Sequence, residues 1–223
     1  MNNKIKLAVF DVDGVLLDSM GVWQETGDRM LERNGIELSE ETRKIINTYT
    51  VKKAAEYLNA HYHLRETDEE IEREICSEVE QEYNLSIPAK PYVRELMEWL
   101  IAKNVKICIL TASEKYYVEA ALKRLELLNF FDKLYTCTEI GLSKYDTECF
   151  RHVIREMGVQ PQEAVMFEDS IHALITASEA GMYTVGVEDL PWNEEKISEL
   201  REKADWYVND YRLIPELFKN LVD

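Results

Sequence analysis

Positive charge, cysteine and long apolar runs are all scarce in this chain of 223 residues. It has 26 Lys and Arg against 43 Asp and Glu, which gives a formal net charge of −17. A protein that binds nucleic acid needs a basic surface to displace counterions from the phosphate backbone. We therefore expect neither nucleic acid nor an anionic membrane as a partner. A small anionic ligand fits this composition only where the local charge is reversed.

The scarcity of cysteine and of apolar runs also bears on the compartment. The cysteines are Cys76, Cys108, Cys137 and Cys149. They form no C-x-x-C pair, so neither a disulfide framework nor a zinc site is expected. The apolar stretches are too short to cross a bilayer. Asp11 and Asp13 interrupt the one early segment that could serve as a signal-peptide core. These patterns predict a cytoplasmic protein.

What the chain does contain is a regular alternation of strand and helix patterns. Short apolar, β-rich runs predict strands at residues 5–10, 105–110, 133–137, 164–167, 183–187 and 205–208. Amphipathic patterns predict helices at residues 92–103, 114–125, 148–157, 170–180 and 194–202. Such alternation with short connections is typical of α/β folds. The sequence therefore predicts a doubly wound, mainly parallel, Rossmann-like sheet.

A mostly helical interval breaks this alternation after the first strand. Its last helix begins with a capping box of Thr67 and Glu70 and carries an apolar stripe at i, i+4 and i+8. The opposite face of that helix is crowded with acids, which we interpret as solvated surface. We predict a small helical cap domain at residues 18–87, inserted into a core domain at residues 1–17 and 88–223.

Acidic side chains follow the first predicted strand. Asp11 and Asp13 lie two positions apart, and Gly14 after them allows a sharp turn. Open α/β sheets bind ligands at the carboxyl ends of their strands. Carboxylates beside a buried strand are costly unless something cationic pairs with them, and a metal ion is the simplest candidate. The alternative, an acidic loop after an edge strand, explains the buried character of this strand poorly.

A hydroxyl-rich segment, Thr111-Ala112-Ser113, follows the second predicted strand. A hydroxyl and backbone N–H groups at the start of a helix can hold an oxyanion or a phosphate. The alternative is that Ser113 only caps the next helix.

Two further charged segments follow later strands. Lys144 lies in a predicted loop, where a lone lysine is normally a solvated charge. Glu168 and Asp169 follow the fourth strand and offer hard oxygen donors suited to Mg²⁺. Alternatively, these two acids are favoured only by the dipole of the helix that they precede.

The four segments in this order resemble the haloacid-dehalogenase superfamily of phosphatases and phosphomutases. The similarity is to the group with a helical cap after the first strand, which includes β-phosphoglucomutase and phosphoglycolate phosphatase. It covers essentially the whole chain. The most specific parts are the segment from Asp11 to Gly14 and Glu168-Asp169-Ser170, the latter followed by an Ala-Gly-Met sequence.

The resemblance implies catalytic and metal-binding roles. Asp11 is the implied nucleophile, which forms an aspartyl-phosphate, and Asp13 the implied general acid and base. The implied Mg²⁺ ligands are the side chains of Asp11 and Asp169 and the backbone carbonyl of Asp13. Glu168 would support the metal directly or through water.

The resemblance also implies how substrate is held. Thr111 and the amide of Ala112 would bind the phosphoryl oxygens, and Lys144 would neutralise their charge. The cap of this group often has a glycine-containing loop that contacts substrate, and here the corresponding residues 48–53 carry Tyr49 instead. Lys52 is our candidate for a cap residue that reaches an anionic substrate.

We therefore expect a Mg²⁺-dependent phosphatase that acts on a small phosphorylated metabolite, such as a sugar or polyol phosphate. The acid at Asp13 favours phosphate-ester hydrolysis or phosphomutase chemistry over dehalogenation. One alternative is a phosphomutase of the β-phosphoglucomutase type. Another is a non-catalytic binding member of the superfamily, which the retained reactive residues disfavour. A monomer or a weak homodimer is expected.

Overall fold

The computed structural model describes residues 4–46, 49, 51–62 and 64–222. Contacts between α-carbons divide the chain into two compact units. One unit comprises Met1–Ser19 and Ile87–Asp223, and the other comprises Met20–Ser86. In the described part of the chain, no helix has both the length and the apolar character needed to cross a membrane.

The larger unit is built on a parallel sheet, which confirms the predicted fold class. Its strands are β1 (Leu7–Phe10), β2 (Lys106–Thr111), β3 (Lys133–Thr136), β4 (Ala164–Glu168), β5 (Tyr183–Val187) and β6 (Trp206–Val208). Their order is β3-β2-β1-β4-β5-β6, and every neighbouring pair is parallel. The chain builds outward from β1 to β3 and then returns to the other side of β1 at β4. Ligand sites in open α/β sheets lie at such a reversal, outside the carboxyl ends of the strands.

Helices connect the strands and also form the smaller unit. The smaller unit has α1 (Met20–Arg33), α2 (Glu40–Ile46), α3 (Val51–Tyr62) and α4 (Asp68–Leu85). The larger unit has α5 (Val93–Ala102), α6 (Lys115–Arg124), α7 (Cys137–Ile140), α8 (Thr147–Met157), α9 (Ile171–Glu179), α10 (Ile197–Lys203), α11 (Ile214–Leu217) and α12 (Lys219–Val222). The helix predicted at residues 194–202 begins with a 3-10 turn at Glu194–Lys196.

One predicted boundary is wrong at the end of β3. The sequence placed Cys137 in the strand, but Cys137 is the first residue of α7. The reason is local, because the side chain of Thr136 accepts a hydrogen bond from the backbone N–H of Glu139 and caps the new helix.

Strand β1 lies in the middle of the sheet and is fully buried along its length. On one face, Leu7 and Val9 pack in an apolar cluster with residues of β2, α8, β4 and α9. Between β1 and the neighbouring β4, the ring of Phe10 stacks on that of Phe167, with centroids 4.2 Å apart. Apolar side chains along all of β1 therefore hold the residues that follow Phe10 at the centre of the sheet edge.

The last helix of the smaller unit, α4, begins with a capping box. The side chain of Thr67 accepts a hydrogen bond from the Glu70 N–H, and the Glu70 carboxylate accepts one from the Thr67 N–H, which confirms the capping box. The apolar stripe of α4, formed by Ile71, Ile75 and Val79, is buried. Helix α4 packs against α1 and α3.

Candidate active site

Asp11 and Asp13 lie in the loop immediately after β1, because the strand ends at Phe10. The Asp11 N–H donates to the Phe167 carbonyl at 3.1 Å, so this residue still contacts β4 through its backbone. Asp11 is 8% exposed. Gly14 has φ +72°, and a β-carbon there would lie 2.7 Å from Oδ2 of Asp169. Only glycine allows this turn and this close approach to the acid at the end of β4.

Two serines hold the carboxylate of Asp13. The Ser19 hydroxyl donates to Oδ1 at 2.6 Å, and the Ser113 hydroxyl donates to Oδ2 at 2.6 Å. Both serines are buried. Bonds to both oxygens orient the carboxylate.

The role of Ser113 differs from the helix cap that the sequence suggested as an alternative. Helix α6 begins at Lys115 with Glu114 in the N-cap position, and Glu114 makes no side-chain capping bond. Ser113 instead donates to Asp13, and its own N–H donates to the Thr111 hydroxyl at 3.0 Å. Ala112 is exposed between the buried Thr111 and Ser113.

Lys144 is buried rather than solvated. Its Nζ lies 2.6 Å from Oδ1 of Asp11 and 2.9 Å from Oε2 of Glu168, and its side chain is 10% exposed. Burial by itself would lower the pKa of Lys144, but the charges of Asp11 and Glu168 outweigh it and raise the pKa above its ordinary value. The ammonium is therefore charged at any ordinary pH.

The acids at the ends of β1 and β4 form one cluster. Asp11, Glu168 and Asp169 each place a carboxylate oxygen so that all three oxygens lie within 4.8 Å of one another. Burial, reinforced by Glu168 and Asp13 and opposed by Lys144, raises the pKa of Asp11 to about 8. Burial and then the charge of Glu168 raise the pKa of Asp169 well above its usual value. A single lysine does not balance the three carboxylates, of which Asp11 and Glu168 are buried.

This donor set fits a magnesium ion. Carboxylate oxygens are hard ligands, and a divalent cation supplies the positive charge that the cluster lacks. Glu168 is also held in place by the Ser170 N–H, which donates to its Oε1 at 3.1 Å. The acid cluster can therefore bind a metal, as the sequence predicted for the ends of these two strands.

Lys52, the candidate substrate contact of the cap, makes none of the contacts described above for the acid cluster. Lys52 lies in α3, is exposed, and belongs to the smaller unit. Tyr49 stacks edge-on against Tyr57, with ring centroids 6.0 Å apart. Of the other residues in the predicted cap loop, Thr48 and Thr50 lie outside the described residues. A substrate contact by Lys52 stays a prediction.

Sequence reasoning missed one residue of this site and left another without its partner. Ser19 was not singled out, although its position close after Asp13 in the same acidic segment was a usable signal. Ser113 lies 100 positions from Asp13 along the chain. Only the parallel pairing of β1 with β2 brings the two together.

Comparison with known proteins places the chain among hydrolases. A family model described as haloacid dehalogenase-like hydrolase matches residues 8–187. A phosphorylated carbohydrates phosphatase of Thermotoga maritima is 25% identical over 178 residues, covering 80% of this chain and 82% of that protein. A validoxylamine A 7'-phosphate phosphatase of Streptomyces hygroscopicus is 28% identical over 189 residues, covering 82% and 85%.

The solved structures agree with the sheet topology described above. A haloacid-dehalogenase family hydrolase from Deinococcus radiodurans, solved with bound phosphate and sodium, superposes with a TM-score of 0.77. The two sequences are 18% identical, and the match covers 98% of each chain. At this identity the likeness shows the fold.

Proposed function

Because the chain belongs to the haloacid dehalogenase-like hydrolase family and is a phosphoric monoester hydrolase, we propose that it is a Mg²⁺-dependent phosphatase of a small phosphorylated carbohydrate. The observation that carries the proposal is the 2.6 Å contact between Lys144 Nζ and Asp11 Oδ1 beside two further acids, Glu168 and Asp169. A buried carboxylate with an adjacent ammonium and further metal-binding acids supports transfer of a phosphoryl group, which needs positioning and charge neutralisation above all.

Asp11 is the nucleophile of the first step. One of its carboxylate oxygens attacks the phosphorus, and the bond from phosphorus to the ester oxygen breaks as the aspartyl-phosphate forms. The carboxylic acid form of Asp13 gives its proton to the departing alcohol oxygen. The hydroxyls of Ser19 and Ser113 support this role, because each can accept a hydrogen bond from protonated Asp13 and donate one to its carboxylate.

Water completes the second step. The Asp13 carboxylate takes a proton from the water whose oxygen attacks the phosphorus, and the bond from phosphorus to Asp11 breaks. Inorganic phosphate leaves, and both aspartates return to their starting states. Lys144 neutralises charge on the phosphoryl oxygens, and Thr111 and the Ala112 amide hold them.

The metal would be held by Asp11, the backbone carbonyl of Asp13 and Asp169, with Glu168 bound directly or through water. When bound, Mg²⁺ supplies positive charge that stabilises the phosphoryl oxygens and keeps Asp11 ionised. The raised pKa of Asp11 supports this dependence, because a protonated Asp11 is not a nucleophile.

The test is phosphate release from a panel of sugar and polyol phosphates, with Mg²⁺ or with EDTA. We expect turnover only with Mg²⁺, and Asp11→Asn should lower it by at least about 1000-fold because the nucleophile is lost. Asp18→Asn is the matched control, since it removes an exposed acid from the same segment, and it should retain activity.

Two outcomes would contradict the proposal. Turnover by Asp11→Asn near the wild-type level would exclude Asp11 as the nucleophile. Isomerisation of a sugar phosphate in the presence of a sugar bisphosphate, without net phosphate release, would instead identify a phosphomutase.

A further inference from the structure

Lys90 and Asp189 form a buried ion pair next to the loop that follows β1. Lys90 Nζ lies 2.6 Å from Oδ1 of Asp189, and the two side chains are 14% and 2% exposed. The same ammonium donates to the carbonyl oxygens of Gly14 at 2.8 Å and Glu188 at 2.9 Å. Three acceptors match the three N–H donors of a lysine. Lys90 therefore fixes the Asp189 carboxylate against the Gly14 peptide.

The other oxygen of Asp189 is left without a partner. Its Oδ2 is buried and has no hydrogen bond to any described residue. Unsatisfied buried carboxylate oxygens are costly, and a bound water or ion is the usual explanation when one occurs.

This oxygen lies near one of the metal-binding acids, Asp169. A β-carbon placed on Gly14 would lie 2.9 Å from Oδ2 of Asp189 and 2.7 Å from Oδ2 of Asp169. The two oxygens are therefore separated by no more than the sum of these distances. Two carboxylate oxygens facing the same glycine repel each other unless a hydrogen-bond donor or a cation lies between them.

Asn193 ties the backbones of these two acids together. Its Oδ1 accepts a hydrogen bond from the Asp189 N–H at 2.9 Å, and its Nδ2 donates to the carbonyls of Val187 at 2.9 Å and Asp169 at 3.4 Å. Lys90 and Asn193 together hold Asp189 in a fixed position relative to Asp169. A carboxylate held in this way is preorganised for a ligand.

We propose that Asp189 positions the bound cation indirectly, with its Oδ2 accepting a hydrogen bond from a water molecule of the ion that Asp11, Asp169 and the Asp13 carbonyl would hold. This inference rests on the metal dependence of the proposed function. Mg²⁺ binds few carboxylates and keeps several of its waters, so water donors are available at such a site. Acceptors beyond the ligands orient those waters and raise the affinity for the metal. Asp189 is a positioning residue and does not contact the reacting atoms.

The test measures Mg²⁺ binding by calorimetry in the absence of substrate, for the wild type, Asp189→Asn and Glu179→Gln. Asparagine keeps one oxygen for Lys90 and replaces the unpaired oxygen with an N–H donor. We expect Asp189→Asn to weaken Mg²⁺ binding by about 10-fold or more. Glu179→Gln removes the same formal charge from an exposed position at the last residue of α9 and should change the affinity by less than about twofold.

The outcomes separate this inference from the proposed function. If the wild type binds Mg²⁺ and Asp189→Asn binds it with equal affinity, the role of Asp189 is overturned and the metal dependence stands. Equal weakening in both variants also overturns it, because net charge would then be sufficient. No binding by the wild type overturns the metal dependence and this inference with it.

A second measurement needs no substitution, so it is unaffected if Asp189→Asn fails to fold. Crystals of the wild type grown with Mg²⁺ should show a water within hydrogen-bond distance of both the ion and Oδ2 of Asp189. An ion whose waters all leave Oδ2 unpaired would overturn the proposal. Melting temperatures in EDTA establish whether each variant folds.

Discussion

The ion pairs beside the acid cluster of the larger unit differ in their exposure to solvent from the ion pairs of the smaller unit. In the larger unit, Lys144 with Asp11 and Glu168, and Lys90 with Asp189, involve side chains that are at most 14% exposed. In the smaller unit, three of the pairs are Arg29 with Glu78, Arg33 with Glu74 and Arg43 with Asp28. Each of these six side chains is at least 34% exposed.

This difference in exposure indicates which ion pairs belong to the functional site. Removing charges from water costs several kcal/mol per ion, so a buried cluster of charges is poor evidence that these charges stabilise the fold. Perturbed acids held in such clusters are instead typical of functional sites. Exposed pairs cost little to form and contribute little, and they keep a chain with many acids hydrated.

The largest effect is expected from removing the buried lysine. Lys144→Met leaves Asp11 and Glu168 close together without their shared cation, so the free energy of unfolding should fall by about 3 kcal/mol in EDTA at pH 8. Urea denaturation measures this. Lys133→Met is the matched control, because Lys133 is 52% exposed and its loss should cost less than about 0.5 kcal/mol. Equal losses in the two variants would remove the distinction between buried and exposed pairs.

A smaller effect is expected from pH. Burial raises the pKa of Asp11 from 3.8 to about 8, so between these values the folded chain holds a proton that the unfolded chain has released. The contribution of Asp11 to the free energy of unfolding then falls as pH rises, by about 1.4 kcal/mol per pH unit. The substitution Asp11→Asn removes this pH-dependent contribution. In EDTA, the variant should therefore gain stability relative to the wild type between pH 5 and pH 8, measured by thermal melting.

Parallel stability curves for the wild type and Asp11→Asn would show that Asp11 is ionised in the metal-free protein. Saturating Mg²⁺ should remove most of the difference, because a cation lowers the pKa of a carboxylate that binds it.

The smallest effect is expected at an exposed pair. Arg33 donates to both carboxylate oxygens of Glu74, between α1 and α4. Arg33→Met should lower the free energy of unfolding by less than about 1 kcal/mol. The effect should shrink further in 1 M salt, where exposed charges are screened over about 3 Å. A loss as large as that of Lys144→Met, unchanged by salt, would contradict the comparison.

Much of the fold could be predicted from local patterns. The apolar runs of β1 and β4, and the capping box of Thr67 and Glu70, depend on residues close together in the chain, where periodicity and hydrogen bonding act directly. The fold class, the family and the class of enzyme were predicted and are confirmed. The domain boundaries, the roles of the individual site residues, the substrate contact of Lys52 and the oligomeric state stay predictions.

The partners within the site were harder to predict. Ser113 was interpreted either as part of a phosphate site or as a helix cap, because a serine before a helix is usually its cap. The local pattern of Lys144 is that of a solvated charge in a loop, and only the resemblance to the family assigned it to the site. The fold places it between Asp11 and Glu168. No local pattern distinguishes these cases, since each partner comes from a different strand end.

The sequence by itself determined that Asp11, Glu168 and Asp169 would lie at the ends of buried strands, because apolar runs and the acids that end them are local features. Only the tertiary structure decided which charges pair. Lys90 meets Asp189 although 99 positions separate them, and Ser113 meets Asp13. The physical reason is that strand order and register bring distant segments to one sheet edge. Burial there makes each charge depend on the neighbours that the fold provides.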